Sequence, residues 1–264
     1  DGIYVGAGLD GATIRGVLLE DCEAFENGGH GMKFRQNSIN CVMRRCKAWR
    51  NSQRYAGHNM GTSGAMNLIS GSWSLVSGNI YQRTLTPGSA VGVSTITNDN
   101  LDGFYASGVG GYWQMDKATD PANPGAGEYG VPSNNTLYAN FGGSAPGSTE
   151  MRIFARCPRH HLLIDCESWE CPDQNGAEGH GIAIDDVTYD TAVIGCRSWD
   201  NEGYGISLNN NFRSRVSGCV IVGNRRGIMD NAGRSNVVLC NTIVQRNDEA
   251  CIRHYPRLRA VVEP

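Results

Sequence analysis

The residues best equipped for chemistry in this 264-residue chain recur at one phase of a repeat. Lys33 and Arg35 follow Gly31 by two and four residues. Asp185 and Asp186 follow Gly181, Asn209 and Asn210 follow Gly205, and Asp230 and Asn231 follow Gly227 at similar distances. If the segments after each glycine stack, these side chains form a strip of cations, carboxylates and amides. Such a strip fits two reactions on a sugar polymer. Elimination across a uronic acid needs its carboxylate neutralised, often by calcium held on Asp185 and Asp186, and a base such as Lys33 or Arg35. Hydrolysis needs two carboxylates about 5 Å apart for retention or about 6.5–9.5 Å apart for inversion. Asp185 and Asp230, two coils apart, are expected at about 10 Å. The catalytic candidates are therefore Asp185, Asp186, Lys33, Arg35 and Asp230. The substrate-binding candidates are Asn209, Asn210, Asn231, His180 and Trp113. Asp and Asn are also favoured wherever a chain turns a corner, so the strip has a plain structural reading as well.

The elements that must position the strip come from two recurring phrases. One is Cys, any residue, Ala or Ser, an aromatic, any residue, Asn. It begins at Cys22, Cys46, Cys166 and Cys196, weakens at Cys219, and reads as lost in a last copy starting at Asn241. The other is Gly, an apolar residue, then alternation, at Gly2, Gly31, Gly181, Gly205, Gly227 and Cys251, the last three intervals being 24, 22 and 24 residues. Ile182/Ile184 and Ile206/Ile208 alternate with small residues, the period of a half-buried strand. A third apolar segment precedes each Cys. Units of about two dozen residues with three short strands and no helical period cannot bury their own apolar faces, so they stack. Cys then lies over Cys and Asn over Asn, where an amide can bond the next amide. The Phe25–Trp49–Trp169–Trp199 series continues as Val222 and Val244 on this alignment, so it reads as a buried column, the alternative being an exterior sugar platform.

This pattern resembles the right-handed parallel β-helix of the pectate-lyase-like superfamily over residues 1 to 69 and 156 to about 255. The resemblance implies an all-β solenoid, with active sites on the strip in its enzyme members. It does not choose among lyases, hydrolases, accessory proteins and phage tailspikes. Gly179-His180-Gly181 and Asp185-Asp186 are similar to elements of polygalacturonases, but their order is reversed and the other elements of that signature are missing. Gly29-His30-Gly31 sits at the same repeat phase, which explains the His as the residue before the strand glycine.

Cys46 and Cys166 are 120 residues apart, where one or two coils need 24 to 48. A further coil fits at Gly64–Leu68, leaving 70–155 as an inserted antiparallel β-rich subdomain of hairpins or a small sandwich. Its strands are expected at 73–76, 80–85, 91–96, 101–105, 112–115 and 136–141, with a Pro/Gly-rich loop at 120–133 and a return to the coil at 151–155. Its aromatics, Trp113 among them, suit either a sugar-facing lid or the core of the insertion itself.

The formal charge of −3 gives no general pull toward nucleic acid or an anionic membrane. Five of ten cysteines fall on one repeat phase and read as small buried side chains, while one bridge among Cys41, Cys157, Cys171 and Cys251 stays open. No metal site other than calcium on Asp185 and Asp186 is expected. No membrane-spanning run or signal peptide is seen. The chain opens at Asp1 in mid-coil without a capping helix, so a fragment, a processed chain or self-association through that uncapped end is expected. Two functions follow. One is a carbohydrate-active β-helix, extracellular or periplasmic, acting on or binding a polysaccharide as a lyase or glycoside hydrolase. The other is a non-catalytic structural or adhesive β-helix.

Overall fold

The computed structural model describes residues 2–6, 13–55, 57–63, 66–69, 72–86, 95–108, 111–143, 151–155, 157–174, 179–185, 188–209, 211–231 and 238–254. The first coil is β1 (Ile3–Val5), β2 (Ile14–Arg15), β3 (Leu18–Glu20) and β4 (Glu23–Phe25). The second is β5 (Met32–Phe34), β6 (Ser38–Ile39), β7 (Val42–Arg44) and β8 (Lys47–Trp49). The third opens with β9 (His58–Ser63), is interrupted by β10 (Met66–Ile69) to β17 (Met151–Ala155), and resumes with β18 (Leu162–Ile164) and β19 (Glu167–Trp169). Three more follow: β20 (His180–Asp185), β21 (Ala192–Ile194) and β22 (Arg197–Trp199); β23 (Tyr204–Asn209), β24 (Arg215–Ser217) and β25 (Val220–Val222); β26 (Arg226–Asn231), β27 (Val238–Cys240) and β28 (Ile243–Gln245). β29 (Ala250–His254) opens a seventh.

Equivalent strands pair in parallel, giving three long sheets and a right-handed parallel β-helix. Sheet A runs β1-β5-β9-β20-β23-β26-β29, sheet C runs β3-β7-β18-β21-β24-β27, and sheet D runs β4-β8-β19-β22-β25-β28. Alternation sends Met32, Phe34, Met60, Ile182, Ile184, Ile206 and Leu208 of sheet A inward onto Met43, Leu163, Val193 and Val216 of sheet C. Each large side chain so buried stabilises the coil by about 1.5–3 kcal/mol. After sheet D each coil turns on a left-handed residue: Glu26, Arg50, Glu170 and Asp200 have φ of 54, 48, 49 and 52°, and Gly223 takes the same place at 68°. Opposite charges stack there, Arg50 reaching Glu170 at 2.7 Å and Glu26 at 3.4 Å. These pairs are exposed, so they mark register more than they stabilise.

The cysteine file forms as expected. The amides of Lys47, Glu167, Arg197 and Val220 donate to the carbonyls of Cys22, Cys46, Cys166 and Cys196. Each buried thiol donates to a carbonyl one coil back, Cys46 to Leu19 at 3.3 Å and Cys196 to Leu163 at 3.4 Å. Among the described residues Cys41, Cys157, Cys171 and Cys251 form no disulfide.

The asparagine file is longer than the spacing predicts. Asn27 Nδ2 donates to Asn51 Oδ1 at 2.8 Å, Asn51 to Asn59 at 3.0 Å, Asn59 to Asn201 at 3.4 Å, Asn201 to Asn224 at 2.7 Å and Asn224 to Asn247 at 3.3 Å. Cys171 occupies the third place in the file, as its position in the repeat implies, and Asn59, which replaces the strand glycine of its coil and was not expected there, supplies the amide from the next strand. The last copy is displaced by one: Ile243 pairs with Val220, so Thr242 takes the Cys place, Gln245 the aromatic place and Asn247 the Asn place.

The chain divides into two compact units, one built on Ala12–Gly64 and Cys157–Pro256, the other on Ala65–Arg156. In the second, eight strands form one sheet, β10-β17-β13-β14-β15-β16-β12-β11, with β11 at Ser74–Ser77, β12 at Ile80–Thr84, β13 at Leu101–Gly108, β14 at Gly111–Lys117, β15 at Glu128–Ser133 and β16 at Thr136–Asn140. All its pairings are antiparallel except β14 with β15. Three expectations change. Met66–Ile69 pairs with β17, so the coil placed at Gly64–Leu68 is instead made by His58–Ser63. Met151–Ala155 stays in this sheet rather than returning to the coil, and the 120–133 loop contains β15. The strand expected at 91–96 falls mostly outside the described residues. Trp73, Phe104, Tyr129 and Phe141 pack on one another, with Leu137 and Ile153, as this unit's own core.

Asn59 accepts from both the backbone and side-chain nitrogens of Asn51 inside a dry core. Asn59→Ala strands those donors and should cost about 2–4 kcal/mol, whereas Lys47→Ala on the outer face should shift the urea midpoint little. Urea unfolding of the two variants measures this.

Candidate functional site

Sheet A carries three columns, one where each strand is entered and two that alternate outward. The first is His30, His58, His180, Tyr204 and Arg226, the residues entering each strand. The second is Lys33, Gly61, Ala183, Ser207 and Met229. The third is Arg35, Ser63, Asp185 and Asn209, with the Asn231 backbone in register beside Asn209, which is the expected strip with Ser63 as its missing member. The small second column makes a floor between the other two. At Gly61 an added Cβ would lie 1.8 Å from the Ala183 carbonyl oxygen, so no larger residue fits.

This face is not flat and open. Lys33 is 5% exposed, His58 1% and Ser207 0%. His30, Arg35, Asp185 and Asn209 are partly exposed. His58 Nδ1 lies 3.8 Å from Asp185 Oδ2, and Ser207 Oγ donates to Asp185 Oδ1 at 3.3 Å. His30 Nε2 lies 3.0 Å from Lys33 Nζ. His30 Nδ1 accepts the backbone N–H of His58 at 3.2 Å, which leaves the hydrogen of the neutral ring on Nε2, aimed at Lys33. Arg35 lies over the Tyr4 ring, 5.9 Å from its centroid.

Burial dominates the protonation of the histidines. It pushes His30 down to about 3, helped by the Lys33 and Arg35 side chains. It pushes His58 far below its ordinary value, with His30, Lys33, His180 and Arg35 adding to the effect. It lowers His180 to about 4 against the opposing pull of Asp173. Near neutral pH all three rings are uncharged, so the His58–Asp185 approach is a polar contact rather than an ion pair. His161 is likewise held near 4 by burial, inside the coil, where its Nδ1 accepts from Cys41 and its Nε2 faces Ser38.

The columns separate the expected site residues. Lys33, Arg35, Asp185 and Asn209 share the outward phase, the Asn231 backbone pairs with Asn209, and His180 stands in the entry column two residues before Ile182. Asp230 does not share the outward phase. It pairs with Leu208, which follows Ile184, so it stands in the inward-facing phase, one residue off the Asp185 column. The expected Asp185–Asp230 carboxylate pair therefore does not form. Asp186 and Asn210 lie outside the described residues. Trp113 pairs with Ala106 within β14 of the insertion, in the other unit. His30, His58, Ser63 and Ser207 were not singled out from sequence. The signal was present in Gly29-His30-Gly31 and Gly179-His180-Gly181, but Asn59 broke the third copy. Among the described residues no group of three or more His, Cys, Asp and Glu side chains is placed to hold a metal.

The aromatic file is exterior, which corrects the buried reading; the one-residue shift puts Gln245, not Val244, at its end. Phe25, Trp49, Trp169 and Trp199 stack with centroids 4.6, 4.8 and 4.9 Å apart and planes within 10°. A sugar needs a free ring face. Neighbours occupy both faces of Trp49 and Trp169, so the file is a structural ladder and not a platform.

A model of the periplasmic copper-binding protein (NosD) family matches residues 172–254, the last coils of the helix. No curated protein matches. Among solved structures the chain is similar to one described as the complex structure of XylC with xylose, at 11% identity and a TM-score of 0.28. The match covers 85% of this chain and 62% of that one, so the chain spans less than two thirds of it. No described helix is long and apolar enough to cross a membrane, which says nothing of β-barrels.

Four buried neutral histidines set a stability profile. Unfolding returns them to an ordinary value near 6.5, so the unfolded chain binds more protons below that pH. Stability should fall as pH drops from about 6.5 toward 4, each ring contributing about 1.4 kcal/mol per pH unit. Urea midpoints between pH 7 and 5 measure the slope, and His30→Gln should reduce it.

Proposed function

We propose that the chain binds an acidic, uronate-bearing polysaccharide on the outer face of sheet A and cleaves it by β-elimination. The observation that supports this most is the separation of charges in the strip. Two basic side chains, Lys33 and Arg35, stand on the outward face with Asp185, while Asp230, the second carboxylate that hydrolysis would need, faces the other way. Elimination needs one base and a neutralised carboxylate, not two carboxylates.

In this reading Arg35 pairs with the uronate carboxylate and holds the charge that develops on it. Lys33, beside His30, in its neutral amine form takes the proton from the carbon next to that carboxylate. The electrons of the C–H bond form the ring double bond, the bond to the leaving glycosidic oxygen breaks, and that oxygen takes a proton from solvent. Asp185, oriented by Ser207 and facing neutral His58, and Asn209 receive the sugar hydroxyls. His180 extends the same surface.

Calcium was expected on Asp185 and Asp186. The described donors around Asp185 are Ser63, Ser207 and Asn209, a set with one carboxylate that does not by itself fit a calcium site. Carboxylate neutralisation is therefore assigned to Arg35, and added calcium becomes one arm of the assay. The copper named for the matching family has no described donor cluster here. An extracellular or periplasmic location accords with such a substrate. The covered, groove-like face argues against the flat surface that a purely structural coil would present.

The test is a panel of polygalacturonate, alginate and neutral polysaccharides, with and without calcium, following ultraviolet absorbance of unsaturated uronate and new reducing ends. Absorbance should appear on an acidic polymer only. Lys33→Met and Arg35→Gln should each lower the rate by about 10²-fold or more, and Asp230→Asn should leave it within about twofold. Reducing ends without absorbance, or loss of activity in Asp230→Asn, would replace elimination by hydrolysis.

A further inference from the structure

The coil corner after β8 is longer than the corners after β4 and β22. Nine residues separate Asn51 from Met60, against five from Asn27 to Met32 and five from Asn201 to Ile206. The added residues carry Gln53, Arg54 and Tyr55. With Glu26, Gly28 and Arg50 they line a groove of about 470 Å³, within the range of about 300–1,000 Å³ common for small-molecule sites.

The loop is held firmly. The amides of Gln53, Arg54 and Tyr55 donate to the carbonyls of Asn27, Gly28 and Gly28 at 3.1, 2.9 and 2.8 Å, and Ser52 Oγ closes the turn onto the Tyr55 carbonyl at 2.7 Å. Yet its side chains bury little: Tyr55 is 70% exposed. A rigid backbone that presents an aromatic ring to water gains nothing from packing that ring, but it lowers the ordering cost of binding. The charges differ too. Arg50 is committed to Glu26 and Glu170, whereas Arg54 forms no ion pair among the described residues. Its stem lies over Gly28, where an added Cβ would be 3.6 Å from Arg54 Cδ.

The groove leads into the strip. Gly28 is two residues from His30 and Tyr55 three from His58, so its rim lies within about 11 Å of the histidine column along the chain. An added Cβ at Gly57 would come 3.2 Å from His30 Nδ1.

We propose that this corner groove is an acidic-sugar subsite, in which Tyr55 stacks on a pyranose face and Arg54 pairs with its carboxylate; this rests on the polysaccharide reading above and extends the same binding surface. Binding is measured by titration calorimetry with tetragalacturonate and, as a neutral probe, cellotetraose, in a Lys33→Met chain that does not turn over. If that chain does not fold, KM on the intact chain replaces Kd. Arg54→Gln and Tyr55→Ala should each weaken tetragalacturonate binding by about tenfold, the Arg54 effect shrinking in high salt, and cellotetraose should not bind. Unchanged Kd and KM in both variants, with cleavage intact, would overturn the subsite and leave elimination standing. Binding that depends on Arg54 and Tyr55 without any cleavage would keep the subsite and remove elimination. No binding of either probe would overturn both.

Discussion

Everything in this protein depends on parallel backbone pairing that keeps one register across the insertion. β7 pairs with β18 and β8 with β19, joining residues about 120 apart as neighbours, while β9 pairs with both β5 and β20. A whole β-rich unit therefore leaves and rejoins within one coil and adds none. The amide file shows how tightly this is enforced. Where the third coil has Cys171 in place of Asn, Asn59 enters the file from the adjoining strand. The acceptors needed by Asn51 and the donors offered to Asn201 are thereby preserved. Buried amides without partners are costly, so the substitution of one source for another is a condition of closing the core.

The same register creates the proposed site. His30 and Lys33 come from β5 and its entry, His58 and Ser63 from β9, Asp185 from β20, and Ser207 and Asn209 from β23. Only residues of the same strand are close in sequence; the four strands are brought together by the register alone. Their burial in an outward-facing groove keeps the imidazoles neutral and leaves Lys33, Arg35 and Asp185 as its charged or proton-exchanging groups. A coil slipped by one residue would turn Asp185 inward, as Asp230 is turned, and the arrangement would be lost.

Much of the coil was legible because stacking rewards identical residues at identical places, and the cysteine and asparagine repeats record that reward. Legibility failed where one residue type did another's work. Asn59 in a glycine place hid both β9 and the third histidine. Thr242 in a cysteine place shifted the last copy by one, which made an exterior aromatic file look buried. Asp230 was read as a partner of Asp185 because both follow a strand glycine, yet they follow it by three and four residues, which alternation sends to opposite faces. In the insertion, Met66–Ile69 and Met151–Ala155 have strand composition suited to either unit. Only their pairing with each other assigns them, and pairing between distant segments leaves no local trace.

The register across the insertion is measured most directly by spin labels on outward positions of sheet D. Labels at Lys47 and Glu167 should show the strong dipolar broadening of adjacent strands, about 5 Å apart at the backbone. Labels at Lys47 and Arg197, two coils apart at about 10 Å, supply the ruler. If the Lys47–Glu167 pair behaved like the Lys47–Arg197 pair or a wider one, the insertion would occupy a coil of its own, and the amide file, the histidine column and the proposed site would all be wrong.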